Sequence, residues 1–179
     1  ADVHLRLAGD GRPTGRIVLL CLNSAGYRNL SNALSRAYLE GLESGVPIIN
    51  GEWLAGAAST GLVALSGGVR GILGPALVAG RRDQALDWLA RSRELFRGEF
   101  YLEVARAGRP GEEQYLAEAV EAAARTGTAV VAANDVRFIR SHDFEAHEAR
   151  VCIHAGSVLN DPARPRDYTD QQYLRSPEE

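Results

Sequence analysis

Asn134-Asp135-Val136-Arg137 follows an apolar run over residues 128–132, and a carboxylate at the end of a buried strand is expensive to place without a partner. Asp135 and Arg137 are two apart, so on an extended backbone their side chains point the same way. That spacing allows a charge-assisted pair, or an arrangement in which Asp135 ligates a metal while Arg137 binds an anion. His142, His147, Cys152 and His154 are of the types that ligate zinc. On one helix Cys152 and His154 would lie about 200° apart. His142 and His147 are five apart, so none of these pairs has the i, i+4 spacing that chelates, and solvated or capping histidines are the simpler reading. Ser66-Gly67-Gly68-Val69-Arg70-Gly71 follows a short apolar strand, and its glycines would let backbone N–H groups approach an anion. It lacks the G-x-G-x-x-G spacing and a lysine, which makes an ordinary strand-to-helix turn the plainer reading and leaves residual anion binding open. Ser66 has no G-x-S-x-G context for a nucleophile. Glu103 reads as an ion-pair partner for Arg106 or Arg109 rather than as a base.

Composition removes several alternatives. All 20 Lys-plus-Arg residues are Arg, so Schiff-base, pyridoxal-phosphate, P-loop and kinase-type lysine chemistry is excluded, each needing a primary amine. The formal net charge of −3 argues against nucleic acid bound across the whole surface. Cys21 and Cys152 sit in apolar runs as small hydrophobes, which suits a cytoplasmic setting. No apolar run approaches the ~18 residues that a membrane span needs. The chain starts Ala1-Asp2-Val3 without Met, as a processed protein or a piece of a longer one would.

The elements that must position these residues alternate between strand and helix, which defines an α/β fold. Residues 3–7 alternate as a half-buried strand, Asp10-Gly11-Arg12-Pro13 turns, and residues 17–22 form a continuous apolar, buried strand, giving a hairpin. Tyr27, Leu30, Leu34, Ala37 and Tyr38 recur at helical spacing over residues 25–40, with Asn23 or Ser24 as cap, so this stripe is expected to face a sheet. A loop with Gly45, Pro47 and Gly51 comes next, then one helical turn at 52–54 and a short strand at 62–65. Helices follow at 72–78 and 81–96, a strand at 100–104, a helix at 112–125 closed by Gly127, a buried strand at 128–132, and a helix capped by Ser141 that runs to about 154. Tyr27, Trp53, Trp88 and Tyr115 fall at core-like positions. Residues 160–179 carry three prolines and read as an extended, peripheral segment after a main unit over 1–159. Buried strands in successive strand-helix units imply parallel pairing, in a barrel or an open sheet. Functional residues would then lie at the strand C-termini, at Asn23, Ser66, residues 103–108 and residues 134–137.

Several ordered motifs go further. Ala25-Gly26-Tyr27-Arg28-Asn29-Leu30 with Ser35-Arg36-Ala37-Tyr38-Leu39-Glu40-Gly41, then Leu65-Ser66-Gly67-Gly68, Phe100-Tyr101-Leu102-Glu103, Ala133-Asn134-Asp135-Val136-Arg137-Phe138 and Asp143-Phe144-Glu145-Ala146-His147 closely resemble the PHP (polymerase and histidinol phosphatase) domain of the bacterial DNA polymerase III alpha subunit. The ending, from Asp161-Pro162 through Tyr168 to Gln172-Tyr173-Leu174-Arg175-Ser176-Pro177-Glu178-Glu179, resembles the segment that leads from that domain toward the polymerase. The resemblance implies part of a distorted (β/α)7 PHP-type barrel whose first strands, with the family's His-x-His motif, have no counterpart here.

It also implies that metal-binding members carry histidine at the positions of Arg16, Ala107 and Arg137, leaving Asp135 as the retained ligand position of a vestigial site. Arginine does not deprotonate to bind a cation, and its charge repels one. Arg16 and Arg137 are expected to pair with Asp135 and neighbouring carboxylates in place of metal. The function implied is that of a fragment of the replicative DNA-directed DNA polymerase. This piece would be a non-catalytic scaffold with no cofactor of its own, magnesium serving a later domain. Its implied partners are the epsilon proofreading exonuclease and other replicase subunits, with DNA engaged through the parent polymerase. The alternatives are a metal-dependent PHP phosphoesterase and a phosphate-binding barrel module.

Overall fold

A computed structural model describes residues 1–8, 14–164, 166–176 and 178–179, so the turn expected at Asp10-Gly11-Arg12-Pro13 lies outside the described residues. Strands β1 (Asp2–Arg6) and β2 (Thr14–Cys21) pair antiparallel, with Val3 opposite Ile17. Alternation puts Val3, Leu5, Ile17 and Leu19 in the core. The same alternation turns Leu20 outward at 47% exposure and Leu22 at 64%, and Cys21 is exposed. Residues 17–22 are therefore not buried as a run, and Cys21, unlike Cys152, is no interior hydrophobe.

Helix α1 (Ser24–Glu40) is capped by Asn23, whose Oδ1 accepts the Gly26 N–H at 3.0 Å. Its buried face is Gly26, Leu30, Ala33 and Ala37. Tyr27 and Tyr38, expected on that face, are 66% and 64% exposed. The correction has a steric cause, since at Gly26 the helix backbone closes on Gly61, where even a Cβ would lie 1.9 Å from the Gly61 carbonyl oxygen. A face of small residues suits that approach, and Tyr27 does not.

Strands β3 (Leu42–Glu43) and β4 (Val46–Asn50) occupy what reads in sequence as a loop. Pro47 disguises β4 because it lacks an N–H for a ladder. The neighbouring Ile48 N–H still donates to the Gly41 carbonyl at 2.9 Å, and Ile48 to Asn50 pair parallel with His4 to Arg6. After β5 (Leu62–Leu65) come α2 (Gly74–Val78), α3 (Arg82–Leu95), β6 (Phe100–Val104), α4 (Glu112–Thr126), β7 (Val130–Ala132) and α5 (Phe144–Ala155). A 3-10 turn at Ser141–Asp143 precedes α5, and there the Asp143 carboxylate accepts the Arg140 N–H at 2.9 Å, so it is Asp143, not Ser141, that closes this end. The last strand is shorter than expected and Val130 is 41% exposed, as an edge position allows.

Among the described residues seven strands form one mixed sheet in the order β3-β4-β1-β2-β5-β6-β7. The expected hairpin is present as the antiparallel pair β1 with β2, and β1 with β4 and β5 with β6 are parallel, whereas β2 with β5 and β3 with β4 are antiparallel. The hairpin reverses β2, so β1, β4, β5 and β6 share a direction. Their C-terminal ends, with Ser66 and residue 104, therefore share one edge of the sheet. Asn23 follows the reversed strand, stands at the other edge and serves as the helix cap.

The described residues divide into two units, Ala1–Val104 with Gln114–Val131, and Ala105–Glu113 with Ala132–Glu179. The first holds the main core, in which Leu5, Ile17, Leu62 and Phe100 from the sheet meet Ala37, Leu89 and Tyr115 from the helices. The second contains α5, the 133–138 segment and the chain's last twenty residues. Within that stretch Gln172 is 0% exposed and Tyr173 bridges Phe138.

Candidate functional site

In the first unit Ser66 ends β5 with its hydroxyl fully committed. Its Oγ accepts the Glu103 N–H at 2.9 Å and lies 3.2 Å from the Tyr115 hydroxyl, which donates to the Glu103 carbonyl at 2.8 Å. Burial pushes the Tyr115 hydroxyl up to about 12, which keeps it a neutral donor. Three groups thus tie the ends of β5 and β6 to α4, and Ser66 is a buried fastener rather than an exposed nucleophile.

Packing likewise explains the glycines after Ser66. Gly67 adopts φ +79°, where a Cβ would meet the Arg16 carbonyl oxygen at 2.8 Å; at Gly71 the Ser66 carbonyl oxygen would be 1.7 Å away. Arg16 itself, on β2, is paired with Asp2, its Nε reaching Oδ1 at 3.2 Å.

The second unit gathers the other three singled-out positions. Asp135 takes a left-handed backbone, φ 43°, one that aspartate adopts more readily than most residues. Arg137 Nη2 approaches its Oδ1 at 2.7 Å, and Arg109 Nη2 pairs with Oδ2. Gln172 Nε2 donates to the Asp135 carbonyl at 3.0 Å and lies 3.3 Å from Oδ2. The Arg109 side chain is only 9% exposed, whereas those of Asp135 and Arg137 are 26% and 31% exposed, so this is a partly buried ionic cluster in which hydrogen bonds offset the desolvation of Arg109. Ala107, 0% exposed, offers no side-chain donor atom, and its carbonyl accepts from the Thr169 hydroxyl.

The Asp135–Arg137 pair is legible in sequence; Arg109 and Gln172 are missed. They lie 26 and 37 residues from Asp135, beyond any local periodicity. The partners found for Arg106 and Arg109 are Glu113, at 3.2 Å, and Asp135.

His147 is buried in the same unit between aromatic rings, 4.6 Å from the Tyr168 centroid and 5.4 Å from that of Phe138. Burial, then the nearby Arg150 and Arg137 charges, hold its imidazole below the ordinary histidine range, with Glu148 opposing. The Glu148 carboxylate is itself engaged by Arg164. His147 and Cys152 are therefore packing residues of α5. Among the described residues, no three His, Cys, Asp or Glu side chains stand where they would share a cation.

These donor sets do not fit a divalent metal. Both Asp135 oxygens face guanidinium groups, Ala107 has no side-chain ligand atom, and Arg16 is tied to Asp2.

The seven-stranded mixed sheet with its helices is consistent with a partial PHP-type α/β fold. The PHP domain model matches residues 2–107, and the chain belongs to the PHP domain family. Over 179 residues it is 46% identical to the DNA polymerase III subunit alpha of Pseudomonas aeruginosa and 45% identical to that of Escherichia coli K12. The corresponding subunit of Haemophilus influenzae is 41% identical. Each match covers 100% of this chain and 15% of the relative, so the chain spans about 15% of the length of these curated relatives. It matches the PHP region of that subunit. Among the described residues, no helix is long and apolar enough to cross a membrane.

Proposed function

We propose that this chain is a metal-free, non-catalytic PHP scaffold in the alpha subunit of a bacterial replicase, where it supports the polymerase and docks the epsilon proofreading exonuclease subunit. One observation carries the metal-free part: the Asp135 carboxylate, the ligand position retained from the family's site, has both oxygens committed to Arg109 and Arg137. Two guanidinium groups around one carboxylate leave net positive charge, and a divalent cation would have to displace them. The parent's DNA-directed DNA polymerase activity is the reading supported by 41–46% identity to alpha subunits across this chain; its magnesium would belong to another domain. DNA meets the parent elsewhere, consistent with the −3 net charge of this piece, and the setting is cytoplasmic.

The docking role rests on family likeness and is tested on the whole assembly. Mixing the complete alpha subunit with its exonuclease subunit is expected to slow amide exchange at a contiguous patch within these 179 residues. A footprint lying wholly outside them would remove the docking role.

A further inference from the structure

Three former ligand positions of the second unit share a neighbour, and it is the chain's own segment around Tyr168 to Leu174. The Ala107 carbonyl accepts the Thr169 hydroxyl. Asp135 receives Gln172 Nε2 on its carbonyl at 3.0 Å and on Oδ2 at 3.3 Å. Arg137 donates its backbone N–H to the Gln172 carbonyl at 2.8 Å and sets its guanidinium 5.6 Å from the Tyr168 ring centroid, and the same ring meets His147. We infer that the vestigial site has become an intramolecular receptor for the 168–174 segment, which occupies the place in the chemistry that a metal and its ligand would have held.

The fit is specific. Gln172 is 0% exposed, and its carboxamide uses both ends, Oε1 accepting the Thr169 N–H at 3.1 Å while Nε2 serves Asp135. Glutamate could accept but not donate there, and leucine could do neither. The Thr169 hydroxyl is also doubly used, giving to Ala107 and accepting the Gln171 N–H at 3.3 Å. Asn134 adds a clamp, its Nδ2 donating to the carbonyls of Gln171 at 2.8 Å and Tyr173 at 2.7 Å. Leu174 N–H closes on the Phe138 carbonyl at 3.0 Å. The recognised pattern is Tyr-Thr-x-x-Gln, an aromatic ring for an arginine face and two polar side chains that each give and take a hydrogen bond.

Buried polar groups that share hydrogen bonds favour one arrangement, and losing one partner strands the others. A cation-binding site needs its carboxylate free, whereas this receptor needs it held by arginine and aimed at a carboxamide. This deepens the metal-free reading and rests on it, yet the two fail differently. Metal bound at Asp135 would overturn the first; an unaltered segment after the site is changed would overturn the second.

The test is amide exchange on the 179-residue chain. In Gln172→Ala, exchange at the Leu174 and Arg137 amides is expected to speed up about tenfold, the worth of about one hydrogen bond, and in Asp135→Ala about a hundredfold, since an ion-pair partner is lost as well. The Leu102 amide, bonded to Ala129 in the first unit, is expected to keep its wild-type rate. Unchanged exchange at Leu174 and Arg137 overturns the inference. Should Leu102 also be released in either variant, Thr169→Val and Thr169→Ser decide. Valine is expected to speed Leu174 exchange and serine, which keeps the hydroxyl, to restore it; equal rates in the two overturn the receptor.

Discussion

Asp135→Ala is expected to lower stability by about 3 kcal/mol, the lower end of the cost of stripping one partner from a buried ion pair. The loss comes from what remains. Arg109, 9% exposed, would keep its charge with no carboxylate, and Arg137 would be left beside it with like charge. The lower end applies because the Asp135 side chain is 26% exposed and water relieves part of the penalty. In thermal unfolding this corresponds to a fall of about 6–12 °C for a chain of this size. Asp135→Asn keeps an acceptor for Gln172 but loses the charge, so its fall is expected to lie between those of wild type and alanine. A melting temperature unmoved by Asp135→Ala would show that the cluster contributes no net stability.

Gly26→Ala is expected to destabilise despite favourable helix propensity. Alanine in a helix interior gains about 1 kcal/mol over glycine. Here the added Cβ would sit 1.9 Å from the Gly61 oxygen and 2.6 Å from its carbonyl carbon, both backbone atoms. That oxygen also accepts the Leu22 N–H at 2.9 Å, and Gly61 is held at φ +77°. Neither partner yields cheaply, so overpacking costs about 3 kcal/mol. The net loss is about 2 kcal/mol, a fall of about 4–8 °C in the melting temperature. A variant as stable as wild type would mean that α1 slides outward freely, contrary to the tight face seen at Gly26, Ala33 and Ala37.

The two substitutions also mark what was legible in the sequence. The strand-helix alternation, the Asn23 cap and the Gly127 helix end follow from local signals. The choice of buried face on α1 does not, because Tyr27 and Tyr38 carry more hydrophobic weight than Gly26 and Ala33 although only the small residues fit the contact. Pro47 hid β4, whose pairing depends on neighbours rather than on its own propensity. Within the candidate site, Asp135 and Arg137 are visible as near neighbours in sequence. Arg109 and Gln172 become partners only through tertiary folding, which brings separations of 26 and 37 residues to hydrogen-bonding distance.

Gln172 shows the same limit from the other side. Three prolines and weak periodicity make residues 160–179 read as an extended, peripheral segment, yet one carboxamide in that stretch is fully buried against Asp135. Polar residues carry no hydrophobic pattern, so a buried one leaves no periodic trace.

The central claim is that arginine, not metal, completes the Asp135 site. Titrating the 179-residue chain with zinc and with manganese, followed by elemental analysis after removal of free ions, tests it most directly. The account predicts less than about one-tenth of an equivalent of either metal per chain, equal in wild type and Asp135→Asn, because the carboxylate is already engaged. One equivalent retained by wild type and lost in Asp135→Asn would contradict it.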